Sequence, residues 1–318
     1  MIEKTGHVPV LLNEVMKSLD PKLKKTYVDA TFGDGGYSRR ILETSDCNVI
    51  AIDRDPSVLE QAMKFKKEFG DRFDFFNCRF SELESLLESL QIKSLDGIVF
   101  DLGVSSMQID NKERGFSFQN EGKLDMRMSQ TGLSAEEIVN DYSESDIADI
   151  IFQYGDEIKS RRIAKKIIAE RQKKRIVTTT ELAKIISSCF SNKYYKTHPA
   201  TKTFQAIRIY VNKEIEELIS GLNTATKFLY ENGRLCIVTF HSIEDRIVKN
   251  FFKVTGSKNY IANEDVKNLL FNLISKPIKP SKEEVEINRR SRSAKLRYGV
   301  RSACQFNAID IKKLGYIT

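Results

Sequence analysis

Short apolar runs recur through the first hundred positions, at 27–32, 49–53, 73–78 and 97–102. They are rich in β-branched and aromatic residues and bounded by polar or glycine-containing turns, which predicts buried strands. The segments between them, 38–43, 57–69 and 81–90, carry apolar residues at helical spacing. Strand–helix–strand repetition implies right-handed crossovers and a parallel sheet. From about 131 to 190 the pattern changes to capped helices, with Ser134 and Glu137, Ser143 and Asp146, and Thr178 and Glu181 at capping-box spacing. Ile147, Ile150, Ile151 and Tyr154 share one helical face. The next helix is crowded with cations: Lys159, Arg161, Arg162, Lys165, Lys166, Arg171, Lys173, Lys174 and Arg175. A helical pattern at 204–222 ends at Gly233, and 234–240 reads as another buried strand. Ser242 and Asp245 are placed to cap a helix through Phe252, and Pro277 and Pro280 mark a loop before a basic tail, 289–297. The expected fold is an α/β, Rossmann-like sheet interrupted by an α-helical insert. Residues 1–110 and 200–318 form one discontinuous domain, and 111–199 form the inserted helical substrate-recognition domain.

Composition narrows the class of partner. A chain of 318 residues with 41% hydrophobic content suits roughly two packed domains. The net charge of +7 favours a polyanionic partner, most often nucleic acid. Cys47, Cys78, Cys189, Cys236 and Cys304 are scattered, with no C-x-x-C pair, so neither a zinc site nor a disulfide framework is expected. Residues 1–7 lack an apolar signal core and no later run is long enough to span a membrane, which points to the reducing cytoplasm.

The first predicted strand runs into Gly33-Asp34-Gly35-Gly36, and the second ends on Asp53. Such a loop lets backbone approach a nucleoside, and the carboxylate takes ribose hydroxyls. Ser38 stands where a third dinucleotide glycine would fall, which disfavours NAD. S-adenosylmethionine carries no phosphate and suits the loop better, while a tight turn in a ligand-free domain remains an alternative. Phe80, after the third strand, can stack on adenine or belong to the core. Asp101, ending the fourth strand, can face the same crevice or cap the following turn, since open α/β sheets bind ligands at the carboxyl ends of their strands.

Several motifs, in order, carry a wider resemblance. They are 7–15 (His-Val-Pro-Val-Leu-Leu-Asn-Glu-Val), the glycine loop, 51–56 around Asp53, and 101–106 with Gln108. Then follow Arg114-Gly115-Phe116-Ser117-Phe118, Leu124-Asp125-Met126-Arg127-Met128, His198-Pro199-Ala200-Thr201, Phe204-Gln205-Ala206, Phe240-His241-Ser242 with Glu244-Asp245-Arg246, and 290–297. With these the chain resembles the MraW/RsmH family of 16S ribosomal RNA cytosine-N4 methyltransferases. The resemblance implies a class I methyltransferase sheet, S-adenosylmethionine as cofactor, and a cytidine in the decoding region of 16S rRNA, in the small ribosomal subunit, as acceptor. It carries cofactor contacts onto Gly35, Gly36, Tyr37, Asp53, Phe80, Asp101 and Gln108. Tyr37 replaces the family's usual His, and Met107 and Arg289 each replace a Pro.

The amine of cytosine needs acceptors for its protons as its lone pair localises, together with in-line positioning. The Asp/Asn/Ser-Pro-Pro-aromatic motif common among amino-methyltransferases is missing from 101–104, so Asp101 is the catalytic candidate by position. Phe116 and Phe118 beside Arg114 can clamp a splayed base or simply pack, and Asp125 and Arg127 can orient the base or form a structural ion pair. Arg290, Arg292 and Lys295 can hold rRNA phosphates. His198 and His241 are candidate bases, each with a structural alternative. No metal site is expected. Competing readings are a methyltransferase for a small molecule or protein, a nicotinamide oxidoreductase, and a non-catalytic RNA-binding ribosome assembly factor.

Overall fold

The computed structural model describes residues 9–191, 195, 197–256, 269–309 and 314–315. The segment 1–7, and with it the first two residues of the 7–15 motif, lies outside them. In chain order the helices are α1 (Leu12–Leu19), α2 (Gly36–Thr44), α3 (Leu59–Phe69), α4 (Leu83–Ser89), α5 (Ser106–Asp110), α6 (Ala135–Asp141) and α7 (Glu144–Gly155). They continue with α8 (Ser160–Arg171), α9 (Thr179–Ser187), α10 (Thr201–Asn212), α11 (Glu214–Phe228), α12 (Ser242–Gly256) and α13 (Lys282–Ile287). The strands are β1 (Thr26–Asp29), β2 (Asn48–Asp53), β3 (Phe73–Asn77), β4 (Leu95–Asp101), β5 (Leu229–Thr239), β6 (Phe271–Ile274) and β7 (Lys295–Arg301). No helix among the described residues is long and apolar enough to cross a membrane.

The chain forms two compact units, residues 1–103 with 216–318, and residues 104–215. The first holds a seven-stranded sheet in the order β3-β2-β1-β4-β5-β7-β6. Strands β1 to β5 pair in parallel, whereas β7 runs antiparallel to both β5 and β6. The parallel strands are apolar on both faces, because helices cover both faces of such a sheet: Ile98, Val99 and Phe100 of β4 and Leu235, Cys236, Ile237 and Val238 of β5 are all fully buried. On one side Val15, Ile41, Phe65 and Phe73 join a single apolar cluster with Val49, Val99 and Leu296.

The second unit is helical, as the cap pattern predicts. The hydroxyl of Ser134 accepts the Glu137 N–H while Glu137 accepts the Ser134 N–H, and Thr178 with Glu181 does the same. Ser143 accepts the Asp146 N–H. Ile147, Ile151, Ile163, Ile167, Leu182 and Ile186 fill its core.

Four expectations are corrected. The helix at 204–222 is two helices, α10 and α11, broken at Lys213, whose φ is 51°. The Asn212 side chain, bonded to Met126 O, Arg208 O and the Met128 N–H, ends α10 and ties it to the 126–128 segment of the same unit. Strand β5 begins at Leu229, not after Gly233. Gly233 sits where its register against β4 is interrupted, and a Cβ there would lie 2.8 Å from Tyr230 O. The 289–297 tail is instead a short turn (Arg289–Ser293) followed by the interior strand β7. Helix α12 is capped by His241 and Glu244 rather than Ser242 and Asp245. His241 Nδ1 accepts the Glu244 N–H, and Glu244 accepts the N–H groups of Phe240 and His241.

Candidate active site

Three strand tips of the first unit are laced together by carboxylates. Asp29, at the end of β1 and fully buried, accepts the Thr31 N–H at 3.2 Å, the Ser38 N–H at 3.1 Å and the Ser38 hydroxyl at 2.7 Å. It thereby shapes the loop that carries the glycines and fixes the first turn of α2. The loop backbone also bonds to both neighbouring strands, Ala30 N–H to Val99 O and Phe32 N–H to Ile52 O, each at 2.9 Å. Asp53, at the end of β2, accepts the Gly33 N–H and its own neighbour's, that of Asp55, each at 2.8 Å. At the end of β4 the Asp101 N–H donates to Thr31 Oγ1 at 2.7 Å.

Burial sets the electrostatics of this end of the sheet. It pushes the carboxyls of Asp29 and Asp53 up to about 6, against the hydrogen bonds that favour their ionised forms. Burial, with Asp29 and Glu244 nearby, also drives Asp101 well above the carboxylate range. Asp101 Oδ1 is buried and has no hydrogen-bond partner among the described residues. A buried polar atom without a partner is costly in a native fold, and a bound ligand can supply the missing hydrogen bond.

The loop glycines divide their duties. Gly33 has φ +51° and an open surface, and its N–H meets Asp53. At Gly35, φ +80°, a Cβ would fall 2.4 Å from the Phe65 ring, and at Gly36 it would fall 2.1 Å from Pro9. The missing side chains at these two positions make room for the protein's own packing, which brings the start of α2 close against α3 and the segment before α1. Tyr37 is buried as well, its hydroxyl donating to Val10 O. The side chain pins the segment before α1, which leaves its backbone as the part available to a cofactor. Phe80 follows β3, half-buried, with its ring edge-on to Phe100 at 5.1 Å.

Gln108 belongs to the second unit. It is buried in a capping box at the start of α5, its Oε1 accepting the Ser105 N–H. There too, Arg114 donates to Arg127 O and Met128 O, with its guanidinium 5.7 Å from the Phe116 ring centroid. Asp125 and Arg127 form a two-pronged ion pair, the shorter contact 2.6 Å. Phe118 stacks on His198 at 4.7 Å, and His198 Nδ1 accepts the Ala200 N–H. In the first unit Lys295 and Arg297 both bind Asp245, at 2.6 and 2.8 Å, and Arg290 and Arg292 lie exposed on the preceding turn.

The site includes residues to which the sequence reading gave no role: Asp29, Thr31 and Glu244. The signal for Asp29 was present, since a carboxylate closing an apolar strand before a glycine loop has amides to bind. Thr31 and Glu244 act on partners distant in the chain or on backbone, and no local pattern marks them.

A sheet of this order with an antiparallel seventh strand, a glycine turn after β1 and acidic residues ending β1, β2 and β4 defines a class I methyltransferase. The model of the MraW methylase family matches residues 4–301, and the chain belongs to that family. S-adenosylmethionine is the cofactor. Among curated relatives, a protein of Rickettsia bellii named ribosomal RNA small subunit methyltransferase H is 51% identical over 299 residues, covering 92% of this chain and 97% of the relative. One of the same name from Rickettsia conorii is 49% identical over 300 residues, with the same coverage. A solved structure described as a putative rRNA methylase from Clostridium thermocellum aligns with a TM-score of 0.42 at 11% identity, covering 93% of this chain and all of that one.

Proposed function

We propose that this enzyme transfers the methyl group of S-adenosylmethionine to N4 of a cytidine in the decoding region of 16S rRNA, acting on the small ribosomal subunit in the cytoplasm. Two things support the reading: relatives half identical along almost the whole chain carry a small-subunit rRNA methyltransferase name, and the strand ends suit an amine acceptor. The single observation that carries the chemistry is the buried, unpartnered Oδ1 of Asp101.

When bound, the sulfonium supplies an electrophilic methyl. Asp53 would take the ribose hydroxyls, the backbone of Gly35, Gly36 and Tyr37 the amino-acid portion, and Phe80 the adenine face. Asp101, with Thr31 fixing its backbone, offers an acceptor for N–H groups in a site shielded from water, where such a bond is stronger than in solvent. As the N4 lone pair forms its bond to the methyl carbon and the methyl leaves sulfur, a proton must leave the nitrogen; the burial that raises Asp101 makes its carboxylate, once ionised, the stronger base for that proton.

The test is mass-spectrometric mapping of methylated cytidines in 16S rRNA from cells with and without the protein, beside transfer of labelled methyl to purified subunits. Loss of one N4-methyl mark in the deletion supports the reading, and an unchanged methylation map rejects it. Asp101→Asn should lower the methylation rate by about 100-fold, the scale of a lost acid–base group.

A further inference from the structure

Helix α8 carries Arg162, Lys165, Lys166 and Ala169 at positions i, i+3, i+4 and i+7, which places all four on one face. This face and the end of α9 enclose a surface groove of about 410 Å³, completed by Ser188 and Cys189. Four other cations of the region are neutralised within the second unit: Arg161 pairs with Asp149, Lys173 with Glu170, Lys174 with Glu181, and Arg175 with Glu136 and Asp141. Lys166 of the groove shares Glu170 at 2.8 Å. Arg162 and Lys165 are exposed and have no carboxylate partner among the described residues. The cationic helix foreseen in the sequence is thus partly self-paired; of its cations without a carboxylate among the described residues, Arg171 donates to Val139 O and Lys159 lies on Phe190, while Arg162 and Lys165 line the groove.

The floor of the groove is fixed. Cys189 is buried and its thiol contacts Arg162 O and Ile185 O. The Ser188 hydroxyl donates to Ile185 O. Lys159 closes the neighbouring surface by lying 4.2 Å from the Phe190 ring centroid. A small side chain at 169 keeps the groove open. Two cations one helical turn apart, above an apolar floor, match a ribose-phosphate backbone, with the phosphate between the cations and the sugar on Ala169 and Cys189.

We propose that the α8–α9 groove binds the sugar-phosphate backbone of the rRNA substrate through Arg162 and Lys165. This rests on the rRNA methyltransferase reading and adds to it a docking surface for the strand flanking the target.

The experiment uses the full chain and protein-free 16S rRNA. Binding is measured by filter retention between 50 and 200 mM salt for wild type, for R162A/K165A, and for the charge-preserving R162K/K165R. Removing two phosphate contacts makes the wild type lose about tenfold more affinity than R162A/K165A over that salt range. R162K/K165R should restore most of the slope. Ala169→Glu, on the exposed side of the helix, should weaken binding further by bringing a carboxylate into the groove. S-adenosylmethionine affinity by calorimetry should be unchanged in all three variants, which also reports that they are folded. A slope for R162A/K165A equal to that of wild type, with wild-type methyl transfer intact, overturns the groove and leaves the enzyme reading standing. Wild type that neither retains rRNA nor methylates purified subunits overturns both.

Discussion

Asp53 already holds two backbone amides before any ribose reaches it, so its negative charge serves both the loop and the ligand. Its carboxyl, pushed up to about 6 by burial, stands above the unfolded value of 3.8. Between those two pH values the folded state holds a proton that the unfolded chain has released, so this group favours folding as pH falls from about 6 toward 3.8 and that gain is lost above 6. Cofactor binding has the opposite sign, because ribose hydroxyls need the ionised acceptor. Affinity for S-adenosylmethionine should therefore weaken as pH drops through about 6, and binding just below that pH should release protons. Calorimetry in buffers of different ionisation enthalpy reads both effects, and Asp53→Asn should flatten them. Asp53→Ala removes charge-assisted bonds worth about 1.5–3 kcal/mol each, and should cost at least about tenfold in cofactor affinity.

At the scale of elements, close approach and cross-strand charge decide what is tolerated. Gly35 starts α2 in a left-handed conformation against two aromatic rings. Gly35→Ala should destabilise the protein by about 2–4 kcal/mol, from overpacking and backbone strain together, as read by urea unfolding. Asp245 serves both Lys295 and Arg297 of β7. Burial raises its carboxyl, but the hydrogen bonds from Arg297 and Lys295 outweigh that and hold it below its ordinary value. Asp245→Ala leaves two half-buried cations without a carboxylate and should cost about 3 kcal/mol by the same measurement. The first four strands and the capped helices were legible because each announces itself locally, by apolar run or by cap. Strand β7 was not. Its Lys-Leu-Arg-Tyr-Gly-Val-Arg reads as a basic tail, because the acid that neutralises its cations lies about fifty residues earlier and its pairing partner β5 earlier still. The break at Lys213 was hidden for a similar reason, since the Asn212 side chain that enforces it reaches back to Met126 and Met128. In the site, Asp53 and Asp101 were visible as acids ending apolar strands. The duties of Gly35, Gly36 and Tyr37 were not, because their neighbours Phe65, Pro9 and Val10 are known only from the fold.

For the whole molecule, the separate cores of the two units predict separable functions. Asp53→Ala should abolish methylation and leave rRNA affinity within about twofold of wild type, by filter binding beside methyl transfer. Loss of both together would argue against independent sites. The order of the sheet also bears on how the protein is made. Residues 104–215 are contiguous and can gather their helices as soon as they emerge during synthesis. The sheet has no such freedom. Strand β5 is flanked by β4 and by β7, the last strand synthesised, which slides in between β5 and the earlier β6. Glu284, on a late helix, also accepts the N–H of Leu11 at the start of the described chain. A nascent polypeptide still held on the ribosome at residue 290 would thus have a finished helical unit beside an open sheet. The sheet that carries the strand-end carboxylates would close only after almost the whole chain had been made.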